Sequence, residues 1–199
     1  MIAAEQNRPD VAERRCNFRI ASRFVEPASL VFLDESGVKT NMTRLYGRAP
    51  IGERCVDHTP HGHWKTMTVL GAIRLDGVMQ EATMVYDGPM NRDTFVGYVE
   101  HCLVPALRPG DVVVMDNLSS HKDAKVRELI EQAGADLWYL PPYSPDMNPI
   151  EKLWSKVKSW LRRLMAGTFD GLLNAIADAL RDVDSTECLN YFMACGYGH

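Results

Sequence analysis

The sequence predicts an α/β fold in which a mixed β-sheet is flanked by helices. Two strand-forming runs are separated by Asp76-Gly77, a turn signal that indicates an antiparallel hairpin. Downstream of this hairpin, buried-strand patterns alternate with helical patterns, which is typical of parallel strands joined by helices. A sheet that contains both kinds of strand pairing is mixed.

The first half of the predicted domain consists mainly of strands. Residues 29–33 form a short apolar run before Asp34-Glu35-Ser36-Gly37, so we expect a buried strand that ends in a turn. Residues 38–62 are rich in Gly, Pro, Arg and His and predict an extended insertion. Residues 64–75 and 78–86 are the two arms of the hairpin.

Helices and strands alternate in the second half. A helix begins after the cap residue Asn91, and a strand follows at 111–115. The next helix ends at Gly134, and another strand covers 136–140. The last predicted helix runs from about 169 to 183.

The helix between these last two elements has a well-defined start. Asn148 is its predicted N-cap, Pro149 its first residue and Glu151 its third. Because Asn148-x-x-Glu151 resembles a capping box, Glu151 can be explained as a capping residue. The side chains predicted to be buried are Ile150, Leu153, Trp154, Val157, Leu161 and Leu164.

The length of 199 residues suits one domain with short appendages. We assign residues 29–165 to the α/β domain and the polar residues 1–28 to a linker or N-terminal extension. Residues 166–199 are expected to form a helical extension packed on that domain. The hydrophobic content of 46% argues against a disordered chain.

The formal net charge of −4 is unevenly distributed, so it does not exclude a nucleic-acid partner. Residues 166–199 carry one basic and five acidic side chains and account for the whole excess. Residues 151–165 carry five basic side chains and one acid. Such a stripe is either a phosphate-contacting surface or a solvated helix face. Its basic residues are Lys152, Lys156, Lys158, Arg162 and Arg163.

Cysteine usage and hydrophobic runs bear on location. The five cysteines are scattered without a Cys-x-x-Cys pair, which argues against a disulfide framework or a zinc knuckle. Reduced thiols fit a cytoplasm. No apolar run is long enough to span a membrane, and the polar N-terminus is unlike a signal peptide. We therefore expect a cytoplasmic protein.

Two predicted strands are each followed by an aspartate, Asp34 and Asp116. Functional groups gather at the carboxyl ends of strands in α/β sheets, so these acids can converge, and Glu151 can complete the cluster. Crowded carboxylates repel one another unless a cation is present, and Mg²⁺ or Mn²⁺ prefers such oxygen ligands. One such aspartate alone is better explained as a turn residue, but the pair favours a metal site.

The histidines are weaker candidates. His58, His61 and His63 lie in the Gly- and Pro-rich insertion without a zinc-ligand spacing, so we expect them at the surface or facing DNA. His121 follows Asp116-Asn117 closely. It is either an active-site residue or a residue at the start of a helix.

Three sequence blocks resemble one known family. Leu33-Asp34-Glu35-Ser36 comes first, followed by Val114-Met115-Asp116-Asn117 with Ser120-His121-Lys122. Residues 140–151 then read Leu-Pro-Pro-Tyr-Ser-Pro-Asp-Met-Asn-Pro-Ile-Glu, which is the most specific block. Together they look like the catalytic blocks of bacterial insertion-sequence transposases of the mariner superfamily, which carry a DDE endonuclease domain. The 34 residues between Asp116 and Glu151 are typical of that superfamily.

The resemblance implies a ribonuclease-H-like fold with a mixed five-stranded sheet. It places the catalytic triad at Asp34, Asp116 and Glu151, which would hold two Mg²⁺ or Mn²⁺ ions for DNA cleavage and strand transfer. The basic helix after Glu151 would contact DNA phosphates. Three further positions are implied as support for the site: Asn117, His121 and Asn148.

The resemblance also implies partners. Family members act on transposon ends and target DNA, with insertion at TA dinucleotides, and a homodimer is expected because two ends are brought together. A nucleoid-associated bacterial enzyme follows from this. Only 33 residues precede Asp34, fewer than the helix-turn-helix domains of full-length relatives need. We therefore expect the second reading frame of a split element, or a truncated remnant.

Three other functions compete with this one. The main alternative is a catalytically inactive remnant that acts only as a DNA-binding module. A phosphotransferase with an aspartyl nucleophile would need a second Asp where Ser36 stands. A receiver domain would have a purely parallel sheet, which the hairpin at Asp76-Gly77 contradicts.

Overall fold

The computed structural model describes residues 4–58, 63–117 and 122–198, and within them a mixed sheet of six strands is flanked by helices. The strands are β1 (Leu30–Lys39), β2 (Thr66–Arg74), β3 (Gly77–Val78), β4 (Met84–Asp87), β5 (Val112–Met115) and β6 (Asp136–Tyr139). The helices are α1 (Pro9–Ser22), α2 (Arg92–Tyr98), α3 (Ala124–Gln132), α4 (Ile150–Leu164), α5 (Phe169–Arg181) and α6 (Ser185–Cys195).

The strand order is β3-β2-β1-β5-β6, and β4 also pairs with β2. β2 runs antiparallel to β1, whereas β5 is parallel to both β1 and β6. The predicted mixed α/β class is therefore confirmed, but the predicted number of five strands is wrong. The return arm of the hairpin is broken by a 3-10 turn at Gln80–Ala82, which buries Ala82 and divides the arm into β3 and β4.

β1 does not end before Asp34 as predicted. Its second half pairs with β2 from Asp34 opposite Gly71 to Lys39 opposite Thr66. The parallel partner β5 is shorter, and its pairing with β1 ends at Phe32 opposite Val114. Asp34 therefore lies inside a strand, immediately beyond the point where the parallel neighbour stops.

The sheet separates two hydrophobic layers because successive side chains of a strand point to opposite faces. Leu30 and Phe32 pack with α4, α5 and α6 on one face. Val31 and Leu33 pack with α2 and α3 on the other. We call the first the α4 face of the sheet.

The predicted helix signals are largely confirmed. The Asn91 side chain accepts a hydrogen bond from Thr94 N at 2.9 Å, and Gly134 has the left-handed φ of 79° that favours glycine after a helix. The predicted stripe of α4 is buried except for Leu164, which is 52% exposed at the C-terminal end. The additional helix α6 begins with a capping box formed by Asp184 and Glu187.

Within the predicted N-terminal extension, residues 9–22 form the helix α1. Its buried side chains are Val11 and Phe18, and the Phe18 ring contacts Trp138 of β6 edge to face at 6.0 Å. The five cysteines are all free thiols. No helix in the described part of the chain is long and apolar enough to cross a membrane.

Candidate active site

Asp34, Asp116 and Glu151 line one cavity with a volume of about 490 Å³. They come from three different elements: β1, the residue after β5, and the first turn of α4. The remaining wall consists mainly of residues 140–145 and Asn148. We call residues 141–148, which connect β6 to α4, the site loop.

The strand register explains why the two aspartates meet. Phe32 lies opposite Val114, so the same register places Asp34 beside Asp116 two residues further on. Phe32 and Val114 both face α4, and the alternation of side chains therefore directs both aspartates to the α4 face. Asp34 is only 8% exposed, whereas Asp116 is half-buried at the end of its strand.

Glu151 is available for chemistry because it does not cap its helix. The predicted capping box is not formed, and α4 has no side-chain cap at its first turn. The backbone N–H of Glu151 instead donates to the carbonyl oxygen of Asn148 at 3.2 Å. The Glu151 side chain is exposed and has no hydrogen-bond or ion-pair partner among the described residues.

Asn148 has an unusual environment for a buried amide. Only 3% of the residue is exposed, it lines the cavity, and its Oδ1 atom accepts no hydrogen bond from the described residues. A buried oxygen without a donor costs about 1–3 kcal/mol, so its retention is easier to explain if a ligand of the cavity satisfies it. Asn117 also lines the cavity, whereas His121 lies outside the described residues.

The oxygen atoms that line the cavity are ligands of the kind that a hard divalent cation prefers. They belong to three carboxylates and two side-chain amides, which provide the oxygen ligands preferred by Mg²⁺ and Mn²⁺. Within residues 4–58, 63–117 and 122–198, no group of three or more His, Cys, Asp or Glu side chains is gathered around a single metal position. Mg²⁺ is commonly held by one or two carboxylates together with water and substrate phosphates, so the open arrangement suits an ion whose remaining ligands are water and a phosphate group.

Gly71 allows α4 to pack at a short distance from the sheet. It lies opposite Asp34 in β2, and a Cβ atom added there would be 3.0 Å from the Trp154 ring. Trp154 is buried and lies one helical turn after Glu151. The absence of a side chain at residue 71 therefore lets the Glu151 helix approach the strand of Asp34 closely.

We expect Gly71→Ala to lower the free energy of unfolding by about 1 kcal/mol, because overpacking costs about 1–3 kcal/mol and is only partly offset by a stiffer unfolded chain. Displacement of Trp154 should also impair any activity that depends on Glu151. Chemical denaturation measures the first effect. Gly37→Ala in β1 is the matched control, since an added Cβ meets nothing within 4 Å there and stability should not fall.

The predicted basic stripe divides into two groups on α4. The positive charge of Lys156 is already compensated by two ion pairs, because its Nζ atom lies 2.6 Å from Glu187 Oε2 and 3.0 Å from Asp182 Oδ2. Arg163 is exposed and lies over the Trp160 ring, with 5.6 Å between the guanidinium carbon and the ring centroid. The other four basic side chains of the stripe are at least partly exposed: Lys152, Lys158, Arg162 and Arg163.

The histidine-rich insertion brings no metal site to the described residues. Residues 40–58 and 63–65 form neither helix nor strand. His58 and His63 are exposed, as predicted, and His61 lies outside the described residues. This segment also exposes large apolar side chains, namely those of Leu45, Tyr46, Ile51, Val56 and Trp64.

Sequence reasoning missed the residues that hold the site loop from both chain ends. Arg15 of α1 forms an ion pair with Asp146 at 2.7 Å. Near the C-terminus, the buried Tyr197 hydroxyl donates to the carbonyl oxygen of Met147 at 2.6 Å. Neither residue lies in a sequence pattern that indicates a contact with this loop, because both contacts join distant parts of the chain.

Comparisons with known proteins identify what this architecture resembles. The family model described as DDE superfamily endonuclease matches residues 29–172. The transposable element Tcb2 transposase of Caenorhabditis briggsae is 30% identical over 169 residues, which cover 78% of this chain and 59% of that protein.

Among the solved structures that share the fold are two Mos1 complexes. A Mos1 transposase paired-end complex with the left transposon end gives a TM-score of 0.80 at 15% identity, over 98% of this chain and 61% of that one. A Mos1 mariner paired end complex with Mn gives 0.77 at 15% identity, over 98% and 62%. The predicted ribonuclease-H-like class is thereby confirmed, and the chain spans less than two thirds of each of these proteins and of the Tcb2 transposase.

Proposed function

Because this chain belongs to the DDE superfamily endonuclease family, we propose that it is the catalytic domain of a DNA transposase that cleaves DNA and transfers the cut strand. Asp34, Asp116 and Glu151 are the catalytic residues of this proposal. The observation that carries it is that these three acids, from three separate elements, line one cavity beside a close-packed helix.

Each of the three acids has a distinct part in the proposed site. Asp34 is a rigid ligand because it is buried within a strand, and Asp116 lies beside it at the end of β5. Glu151 approaches from α4 with its side chain exposed to the cavity. Two Mg²⁺ or Mn²⁺ ions bound there would activate the attacking oxygen and stabilise the leaving oxygen in phosphoryl transfer.

Amide side chains complete the proposed cavity. Asn148 presents a buried oxygen without a donor, and Asn117 lies beside Asp116. We propose that both amides form hydrogen bonds with water or with a DNA phosphate bound in the cavity. His121 stays a proposed supporting residue from its place in the sequence block.

DNA is the proposed substrate and partner, in the form of transposon ends and a target with a TA dinucleotide. The relatives support this, since both Mos1 structures are paired-end complexes and one of them contains the left transposon end. We infer a homodimer, and the exposed apolar residues of the 40–58 segment supply a surface that a second copy can cover. An origin in a bacterial insertion sequence, and a location at the nucleoid, belong to the same proposal.

The test of this function is nicking of supercoiled plasmid by the purified chain. We expect nicked circles in Mn²⁺ or Mg²⁺ and none in EDTA, since the carboxylates alone supply no Lewis acid to polarise the phosphate and activate water. Binding of DNA without nicking in either metal would contradict the enzymatic proposal. It would instead favour the alternative, an inactive remnant that only binds DNA.

The exposed part of the basic stripe on α4 can be tested separately by its effect on DNA binding. We expect Arg162→Gln combined with Arg163→Gln to weaken DNA binding several-fold and to lower the slope of log affinity against log salt by about two. Fluorescence anisotropy at several salt concentrations measures both quantities. Lys125→Gln with Arg127→Gln is the matched control, because it removes two charges from exposed positions of α3. Equal effects of the two double variants would exclude a specific role for this part of the stripe.

A further inference from the structure

The site loop is bound by a side chain from outside the predicted catalytic domain. Arg15 of α1 donates from Nη1 to Ser144 Oγ at 2.7 Å and to Asp146 Oδ1 at 2.9 Å. Its Nη2 atom donates to Asp146 Oδ2 at 2.7 Å. The side chain of Arg15 is only 11% exposed. A planar guanidinium is needed for this two-pronged contact, which a lysine cannot reproduce.

A second residue of the N-terminal segment contacts the same loop. Gln6 Nε2 donates to the carbonyl oxygen of Tyr143 at 2.6 Å and to Asp146 Oδ1 at 3.2 Å. Tyr143 has a φ of 57°, an unfavourable conformation for a residue other than glycine. The contacts therefore fall on the part of the loop whose backbone most needs external support.

α1 is itself fixed to the domain, so it can act as a support. Val11 and Phe18 are buried, and Phe18 packs against Trp138 at the end of the sheet. The hydrogen bond from Arg15 lowers the pKa of the Asp146 carboxyl, and the same bond raises the pKa of Arg15. The pair is consequently charged throughout the neutral pH range.

A continuous series of backbone hydrogen bonds connects this contact to the active site. Met147 N donates to Ser144 O at 3.0 Å, and Asn148 N donates to Pro145 O at 3.1 Å. Glu151 N then donates to Asn148 O at 3.2 Å. A displacement of the loop at Ser144 or Asp146 is therefore transmitted to the start of α4.

We propose that Arg15 is a positioning residue: by holding Ser144 and Asp146, it fixes the site loop in the conformation that places Glu151 in the cavity with Asp34 and Asp116. This inference rests on the proposed function only for its effect on catalysis. It makes the N-terminal segment part of the active-site scaffold rather than a linker.

The first test compares nicking by Arg15→Gln and Arg8→Gln. Arg8 lies just before the same helix and pairs with Asp10 at 2.9 Å, with both side chains at least half exposed, so it serves as the matched control. We expect Arg15→Gln to slow nicking by about tenfold to a hundredfold and to raise the Mn²⁺ concentration needed for half-maximal rate, because a misplaced ligand weakens the metal site. Arg15→Lys should recover only part of the rate, and Asp146→Asn should reproduce the loss.

The second test is independent of DNA cleavage. Limited digestion with chymotrypsin, followed by mass spectrometry, gives the rate of cutting after Tyr143 relative to cutting after Tyr46. Tyr46 lies in the exposed 40–58 segment, far along the chain from α1, and serves as an internal reference. We expect Arg15→Gln to raise this ratio several-fold, because the loop opens more often, and Arg8→Gln to leave it unchanged.

The two tests separate the possible failures. If the parent chain does not nick DNA, the proposed function fails, and the digestion ratio alone decides whether Arg15 holds the loop. If Arg15→Gln changes neither the ratio nor the Mn²⁺ requirement relative to Arg8→Gln, the positioning role is overturned. The role is also overturned if the slower nicking is explained by a smaller folded fraction at the assay temperature and the Mn²⁺ requirement is unchanged.

Discussion

Replacement of Asp116 by Asn is expected to lower the rate of metal-dependent DNA nicking by at least about a hundredfold. The substitution preserves the size of the side chain and removes one of the charges that would hold the catalytic metal, whose contribution to transition-state stabilisation is several kcal/mol. Plasmid nicking in Mn²⁺ measures the rate. Denaturant unfolding of the variant and the parent reports separately on any change in stability.

Asp136→Asn is the matched control for this experiment. Asp136 is the exposed first residue of β6 and pairs with Val112, the first residue of β5. It therefore lies at the end of these strands opposite to Asp116, which follows the last residue of β5. Its replacement makes the same chemical change away from the cavity, so the nicking rate should stay at the parental value. Equal nicking by parent, Asp116→Asn and Asp136→Asn would indicate a contaminating nuclease and would remove the support for Asp116 as a catalytic residue.

The largest effect on stability is expected from Arg74→Met. Arg74 and Asp111 form an ion pair with both side chains 4% exposed, and Arg74 Nη1 donates to Asp111 Oδ1 at 2.6 Å. Removal of the guanidinium leaves a buried carboxylate whose remaining hydrogen-bond donor, within the described part of the chain, is the backbone N–H of Arg108 at 2.6 Å. Breaking such a pair costs about 3–5 kcal/mol, which urea denaturation at neutral pH would show directly.

The double variant Arg74→Met with Asp111→Leu tests the reason for that loss. When both partners are replaced by apolar side chains, no buried charge is left, and much of the stability should return. The pair joins β2 to the start of β5, at the end of the sheet away from Asp116, so the folded fraction of either variant should keep its nicking rate. A single variant that is as stable as the parent would contradict the structural role of the pair.

Much of the sheet and one whole helix could be predicted from local patterns. β5 and β6 are short apolar runs between helical segments, and they lie where the sequence places them. The α4 stripe is buried because its apolar spacing matches the helical period. Local patterns suffice here because the signal for each element lies within the element itself.

The elements that differed from prediction depend on distant partners. β1 continues through Asp34 because β2 pairs with its second half, and nothing in residues 34–39 resembles an apolar strand. The arm after Gly77 divides because Ala82 turns into the core. α1 has little amphipathic character, and it is held partly by the ion pair from Arg15 to Asp146, which no periodicity reveals.

The candidate site was predictable from the order and spacing of its acids, but not in its details. Two predicted strand ends and one predicted helix start place Asp34, Asp116 and Glu151 close together, and all three line one cavity even though Asp34 lies inside β1. The sequence also favoured a capping role for Glu151, which the structure does not show. The support from Arg15 and Tyr197 lies outside the blocks, because it is made across more than a hundred residues and about fifty residues respectively.

The most direct test of the account is a crystal of this chain grown with Mn²⁺ and measured at a wavelength where manganese scatters anomalously. We predict anomalous peaks inside the cavity, within ligand distance of Asp34 and Asp116, and a loss of these peaks in Asp116→Asn. A Mn²⁺ peak at the exposed histidines His58 and His63, with none beside the three acids, would contradict the assignment of the active site.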